Sequence, residues 1–310
     1  MTEPGEIVAE LEAQLGSAAG PPQPLPGGIT NRNFRLRFGT RECVLRLPGA
    51  STGLLGIDRE AERLASAEAA RLGIAPALLA AGDGYLVTEF IDGEPIDADQ
   101  LRASPASAAR ALRTFHDSNL SLPTRFWVPE LLADYARIVG ERGGSLPDSY
   151  GPAQALAARI ADTLPLTDPV PCHNDLLGAN LLASRTEPAT PIFVDWEYAA
   201  TGHRLFDLGN LAVNNDFDAA AEDRLLEAYY GEAPRAGRRA ALALMRIMSD
   251  VREAAWGVVQ GVISELDFDF AGYGRRHFAR LEAAASGPGL DHWLGVASAA
   301  PPVPGRGVAP

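Results

Sequence analysis

Asp175, Asn180 and Asp195 stand in an order that suits phosphoryl-group chemistry. Asp175 follows His173 by two positions, Asn180 comes after four intervening residues, and Asp195 closes the apolar run Ile192-Phe193-Val194 fifteen residues further on. A carboxylate placed like Asp175 can orient a hydroxyl and accept its proton, while an amide oxygen and a second carboxylate, Asn180 and Asp195, can hold Mg²⁺ against phosphate oxygens. Glu197 lies two residues past Asp195 on the same side of an extended chain and is a further metal candidate, directly or through waters. His173 reads as a prop for the loop, not a reactant. Turn capping by Asn174, Asp175 and Asn180 is the plain alternative, but it leaves as coincidence the match to a phosphoryl-transfer catalytic loop, His-x-Asp, four residues, Asn, and a later Asp closing a short apolar strand.

The surrounding pattern supplies elements to carry these groups. Ile7, Val8, Leu11 and Leu15 recur at helical spacing, and the Pro/Gly/Ala-rich residues 16–28 predict a loop. Alternation from Phe34 to Leu47 around Gly39-Thr40 predicts a hairpin. Residues 58–72 predict a helix capped by Asp58 and ended by Gly73, and short strands fit 77–81 and 85–91 around Gly82-Asp83-Gly84. Beyond residue 92 the pattern is helical, apart from a β-like insertion at 170–195. An α+β chain is therefore expected, with a sheet-bearing lobe at 1–91, a mainly helical lobe at 92–295 and a disordered Ala/Pro/Gly tail at 296–310.

Composition removes other chemistries. All 27 basic residues are arginine, which excludes lysine Schiff bases, pyridoxal phosphate on a lysine, and the lysine-bearing P-loop. Phosphate would have to be met by arginine. A net charge of −13 argues against a nucleic-acid partner. No apolar run is long enough to span a membrane. With Cys43 and Cys172 as the only cysteines and an acidic start lacking a leader pattern, a cytoplasmic, reduced setting is expected.

The 172–180 segment with Asp195 resembles the choline/ethanolamine kinase family within the aminoglycoside-phosphotransferase-like kinases. That resemblance implies a two-lobed protein-kinase-like fold, a small N-lobe and a larger helical C-lobe, with ATP and Mg²⁺ as cofactors. It also extends along most of the chain. Residues 26–34 are similar to the family's glycine loop, implying nucleotide contacts from Gly28, Thr30, Asn31 and Asn33. Arg46 stands where protein kinases carry the phosphate-gripping lysine, its expected partner being Glu62, with Glu60 as the alternative. Glu89 and Ile91 fall at the lobe junction, where backbone would meet adenine and Phe90 with Ile91 would form an apolar slot. Asp207 resembles a brace for the catalytic loop.

Trp256, Phe268, Phe270 and Tyr273 match the segment lining an amino-alcohol pocket, where aromatic faces attract a cationic head group. Core packing is the alternative for these rings. The chain departs from the pattern in offering Asn215 where a substrate-binding acid is expected, and Val259 for a second tryptophan; Asp216 or Glu253 could supply the charge. The resemblance thus implies a small-molecule kinase acting on choline or a related amino alcohol such as ethanolamine. Alternatives are an aminoglycoside, thiamine or sugar acceptor, or a nucleotide-binding regulator without catalysis. Protein-kinase activity is disfavoured because no Ala-Pro-Glu signature follows Asp195. Oligomeric state is not legible.

Overall fold

The computed structural model describes residues 3–26, 31–49, 51–186 and 189–300. Helix α1 (Pro4–Leu15) precedes strands β1 (Gln23–Leu25), β2 (Asn31–Phe38) and β3 (Arg41–Pro48); helix α2 (Arg59–Arg71) then leads to β4 (Leu78–Gly82) and β5 (Tyr85–Glu89). These strands form one antiparallel sheet in the order β1-β2-β3-β5-β4. Strand periodicity gives the sheet two unlike faces. Leu36, Phe38, Cys43, Leu45, Leu47, Tyr85 and Val87 pack with Ile7 and Leu11 of α1, which leaves Asn33 and Arg46, direct partners in the register, on the opposite face.

Two departures from expectation fall here and at the C-terminus. Residues 23–25 form strand β1 inside the predicted loop; an edge strand tolerates Pro24, which has no N–H to donate. At the other end α11 (Gly289–Ala299) carries residues 296–299, predicted disordered, as helix, because Leu290 and Ala297 are buried against the helical core. Gly28 and Thr30 lie outside the described residues.

Strand β6 (Gly93–Pro95) pairs with β8 (Leu181–Ser184), which pairs with β9 (Ile192–Phe193), while β7 (Val170–Cys172) pairs with β10 (Ala200–Gly202). The remainder is helical: α3 (Ala98–Ala103), α4 (Ala106–His116), α5 (Val128–Glu141), α6 (Tyr150–Thr163), α7 (Arg204–Asn214), α8 (Ala219–Tyr230), α9 (Ala236–Ile263), α10 (Phe270–Ser286) and α11. The 28-residue α9 is the spine, burying Leu244, Met248, Val251, Ala255 and Val259. Close approach of α9 and α10 depends on glycine, since a Cβ on Gly257 would lie 2.9 Å from the Gly274 amide nitrogen. Helix α2 starts on Asp58, whose carboxylate accepts from the Ala61 N–H at 2.8 Å. Its alanine stripe, Ala61, Ala65 and Ala69, is buried in the core of the helical lobe, so α2 is anchored to the lobe it faces. Among the described residues no helix is long and apolar enough to cross a membrane.

Candidate active site

Between β7 and β8 the chain forms a loop that has no regular hydrogen-bond ladder of its own, so other elements must satisfy its amides. Asp207 on α7 accepts from the N–H groups of His173 and Asn174, both at 2.8 Å. Asn210, one turn later on the same helix face, accepts from the Leu176 N–H and donates to Ser249 Oγ at 2.9 Å. Asn215 donates to the carbonyls of Leu176 and Leu211 at 3.3 and 2.8 Å. Its amide nitrogen thus joins the loop backbone to the end of α7. A Cβ on Gly178 would stand 2.8 Å from Asn215 Oδ1, which is why a glycine occupies that position.

Asp207 is itself held. His116 Nε2 lies 3.0 Å from its carboxylate, His116 Nδ1 lies 2.6 Å from the Tyr229 hydroxyl, and Arg204 donates to that hydroxyl at 3.0 Å. His116 thus bridges Asp207 to the Tyr229 hydroxyl through its two ring nitrogens. His116, Cys172 and Asp207 have the clustering of metal ligands, but the histidine nitrogens and the aspartate oxygens are already hydrogen-bonded.

His173 is fully buried, with Nε2 donating to the Val194 carbonyl at 3.0 Å and its ring 4.5 Å from that of Trp196. Burial pushes its pKa down to about 4, so it is neutral at pH 7. It therefore ties the Asp175 loop to the residue before Asp195. A second tie joins the same segments, the Val194 N–H donating to the Asn180 carbonyl at 3.0 Å.

Asp175 and Asn180 meet directly, the Asn180 amide nitrogen donating to Oδ2 of Asp175 at 3.1 Å and to its carbonyl at 2.9 Å. Burial pushes the Asp175 carboxyl up to about 8; Arg252 opposes that rise, whereas Glu253, Asp195 and Glu197 add to it. Asp195 sits in the left-handed region at φ 63°, a conformation that turns its carboxylate out of the β9 line. Arg46 spans the cleft, pairing with both Glu62 and Asp195. Glu60 is not the partner: it is bonded to Arg63.

Glu197 is buried and accepts from the Asn31 amide at 2.9 Å, with Arg59 at 3.5 Å. Asn31, expected at a nucleotide, is thus directed to Glu197. Asn33 lies opposite Arg46 in the sheet. At the junction the N–H groups of Glu89 and Phe90 donate to Ala77 and Glu42 carbonyls at 2.8 and 3.0 Å. The Arg35 guanidinium lies 4.0 Å from the centre of the Phe90 ring, and Ile91 is half-buried beside it.

The four aromatic candidates come together. Trp256 contacts Phe270 and Tyr273 at centroid distances of 5.7 and 5.4 Å, and Phe268 contacts Phe270 and Tyr273 at 4.8 and 6.2 Å. Phe268 is 40% exposed, so the cluster reaches solvent. Glu253 adjoins it, accepting from the Tyr273 hydroxyl at 2.7 Å, whereas Asp216 is exposed. Three participants were not legible beforehand. Asn210 is one turn from Asp207 on the same helix face, and Arg252 one turn from Trp256, so helical spacing was the available signal; Tyr198, which accepts from the Trp256 indole at 2.8 Å, carried none.

Residues 22–243 match the phosphotransferase enzyme family. Among relatives, LicA of Haemophilus influenzae is 27% identical over 211 residues, 66% of this chain and 61% of its own length. Mouse ethanolamine kinase 2 is 27% identical over 277 residues, covering 79% of this chain and 71% of that protein. The crystal structure of a choline/ethanolamine kinase family protein from Mesorhizobium loti superposes with a TM-score of 0.79 at 29% identity, covering 95% of this chain and 98% of that one. A match over residues 22–243, on a scaffold that joins Asp175, Asn180, Asp195 and Arg46 across one cleft, makes this chain a member of the phosphotransferase enzyme family, with choline/ethanolamine kinases among its relatives.

Proposed function

We propose that the protein is an ATP- and Mg²⁺-dependent kinase that phosphorylates the hydroxyl of a small amino alcohol, choline or ethanolamine. The observation that carries this reading is the meeting of β3, through Arg46, with the Asp195 loop while Asn180 grips Asp175. In its ionised form, which Arg252 favours, Asp175 takes the acceptor's hydroxyl proton as the new O–P bond forms, the bond between the γ-phosphorus and its bridging oxygen breaks, and ADP leaves. Arg46 supplies fixed positive charge toward the phosphates, a role open to guanidinium at any working pH.

The donor set fits Mg²⁺. Asn180 directs its amide nitrogen at Asp175, which turns its oxygen the other way, and Asp195 adds a carboxylate; both are the hard oxygen ligands this cation takes. A cation held there supplies charge that screens the phosphate oxygens. Glu197, two residues beyond Asp195 and engaged by Asn31 and Arg59, is a further oxygen donor.

The aromatic cluster favours a single compact cation as acceptor, with Glu253 providing negative charge beside Tyr273. The test is a screen of ADP release with choline, ethanolamine, thiamine and kanamycin, repeated on Asp175→Ala. Choline or ethanolamine should stimulate release and the variant should lose it. Stimulation by kanamycin alone would replace the acceptor assignment, and an undiminished variant would remove Asp175 from the chemistry.

A further inference from the structure

Arg252 on α9 is 2% exposed, yet no secondary-structure rule requires a charge there. Its Nη1 donates to Glu253 Oε1 at 2.6 Å and lies 3.4 Å from Asp175 Oδ1. Its guanidinium carbon stands 4.3 Å from the centre of the Tyr198 ring. Tyr198 in turn accepts from Trp256, and Glu253 accepts from Tyr273. One arginine therefore connects Asp175 by two routes to the aromatic cluster.

Stabilisation is a poor account of this group. Among the described residues Nε and Nη2 are buried without hydrogen-bond partners, and a buried ionic cluster with unmet donors is usually no better for stability than apolar residues of the same volume. Such clusters are characteristic of functional sites. A guanidinium can also do here what an ammonium does poorly: place its carbon over a ring while one nitrogen faces two carboxylates.

We propose that Arg252 is a positioning residue for the transfer step. It fixes the rotamer of the Asp175 carboxylate and, through Glu253 and Tyr198, sets that carboxylate at a constant distance from the acceptor pocket. The inference rests on the reading of Asp175 as the group that takes the acceptor's proton.

The test is Arg252→Lys in two backgrounds, the natural one and Asp175→Asn, by single-turnover phosphorylation of the acceptor, with ADP affinity measured by calorimetry. In the natural background kcat should fall on the order of tenfold or more, since small misplacements of catalytic groups cost that much. The Michaelis constant for ATP and the ADP affinity should stay within about twofold. In the Asp175→Asn background the same change should cost less than about twofold, because residues that act as a unit are not additive. A kcat within about twofold of the natural protein would overturn the proposal. So would equal losses in both backgrounds, or a parallel loss of ADP affinity. Full turnover by Asp175→Asn would instead sink the underlying reading of Asp175, and the proposal with it. Should Arg252→Lys fail to fold, Arg252→Gln, which keeps an amide donor and leaves Asp175 and Glu253 in place, is read by the same criteria.

Discussion

His173 shows how much a single side chain can be made to hold. Its imidazole is buried and neutral, and both nitrogens serve the loop: Nε2 donates to Val194 and Nδ1 accepts from the Asp175 N–H at 3.3 Å. A pKa of about 4 in the folded protein against 6.5 for the free side chain means the unfolded chain binds the proton more readily between those values. Stability from this site is complete above about pH 6.5 and falls as pH drops toward 4, by on the order of 3 kcal/mol in all. Melting temperatures from pH 7.5 to 4.5 should thus drop more steeply for the natural protein than for His173→Gln; parallel curves would contradict it. The position of His173 beside Asp175 was legible in the sequence. The duty of Asn215 was not, because the identical amide could have faced a substrate, and only the end of α7 decides that it caps Leu176 and Leu211.

At the scale of elements, capping fixed what periodicity could not. Once Asp58 accepts from the Ala61 N–H, Glu62 on the first turn of α2 points at β3 and Glu60 points away to Arg63, which settles the partner of Arg46. Strand β1 and the end of α11 were missed for a common reason: each is short or alanine-rich, and pairing with β2 or packing on α9 decides its state. The contact between α9 and α10 carries the aromatic cluster, and its spacing rests on Gly257 against Gly274. Gly257→Ala should force these helices apart and cost about 1–3 kcal/mol by overpacking, measured as a lower denaturant midpoint. The acceptor Michaelis constant should rise while that for ATP does not. An unchanged midpoint would show that the backbones can relax around the methyl.

At the scale of the molecule, the lobes meet through polar groups on the site side, Arg46 with Asp195 and Asn31 and Arg59 with Glu197, and through the alanine stripe of α2 behind them. The two-lobed plan was legible because its signals are local: an alternating hairpin, a capped helix, and the ordered spacing of Asp175, Asn180 and Asp195. The link from Trp256 and Tyr273 back to Asp175 was not, since the adjacent Arg252 and Glu253 reach Asp175, Tyr198 and Tyr273 only once the chain has folded. The central claim is that this cleft moves a phosphoryl group from ATP to an amino alcohol through Asp175. Its most direct measurement is ³¹P NMR of ATP, Mg²⁺ and choline or ethanolamine incubated with the natural protein and with Asp175→Asn. A phosphomonoester of the amino alcohol should accumulate with ADP in the first and be slowed by on the order of 100-fold or more in the second. No phosphomonoester from either amino alcohol, or equal rates from both proteins, would contradict the account.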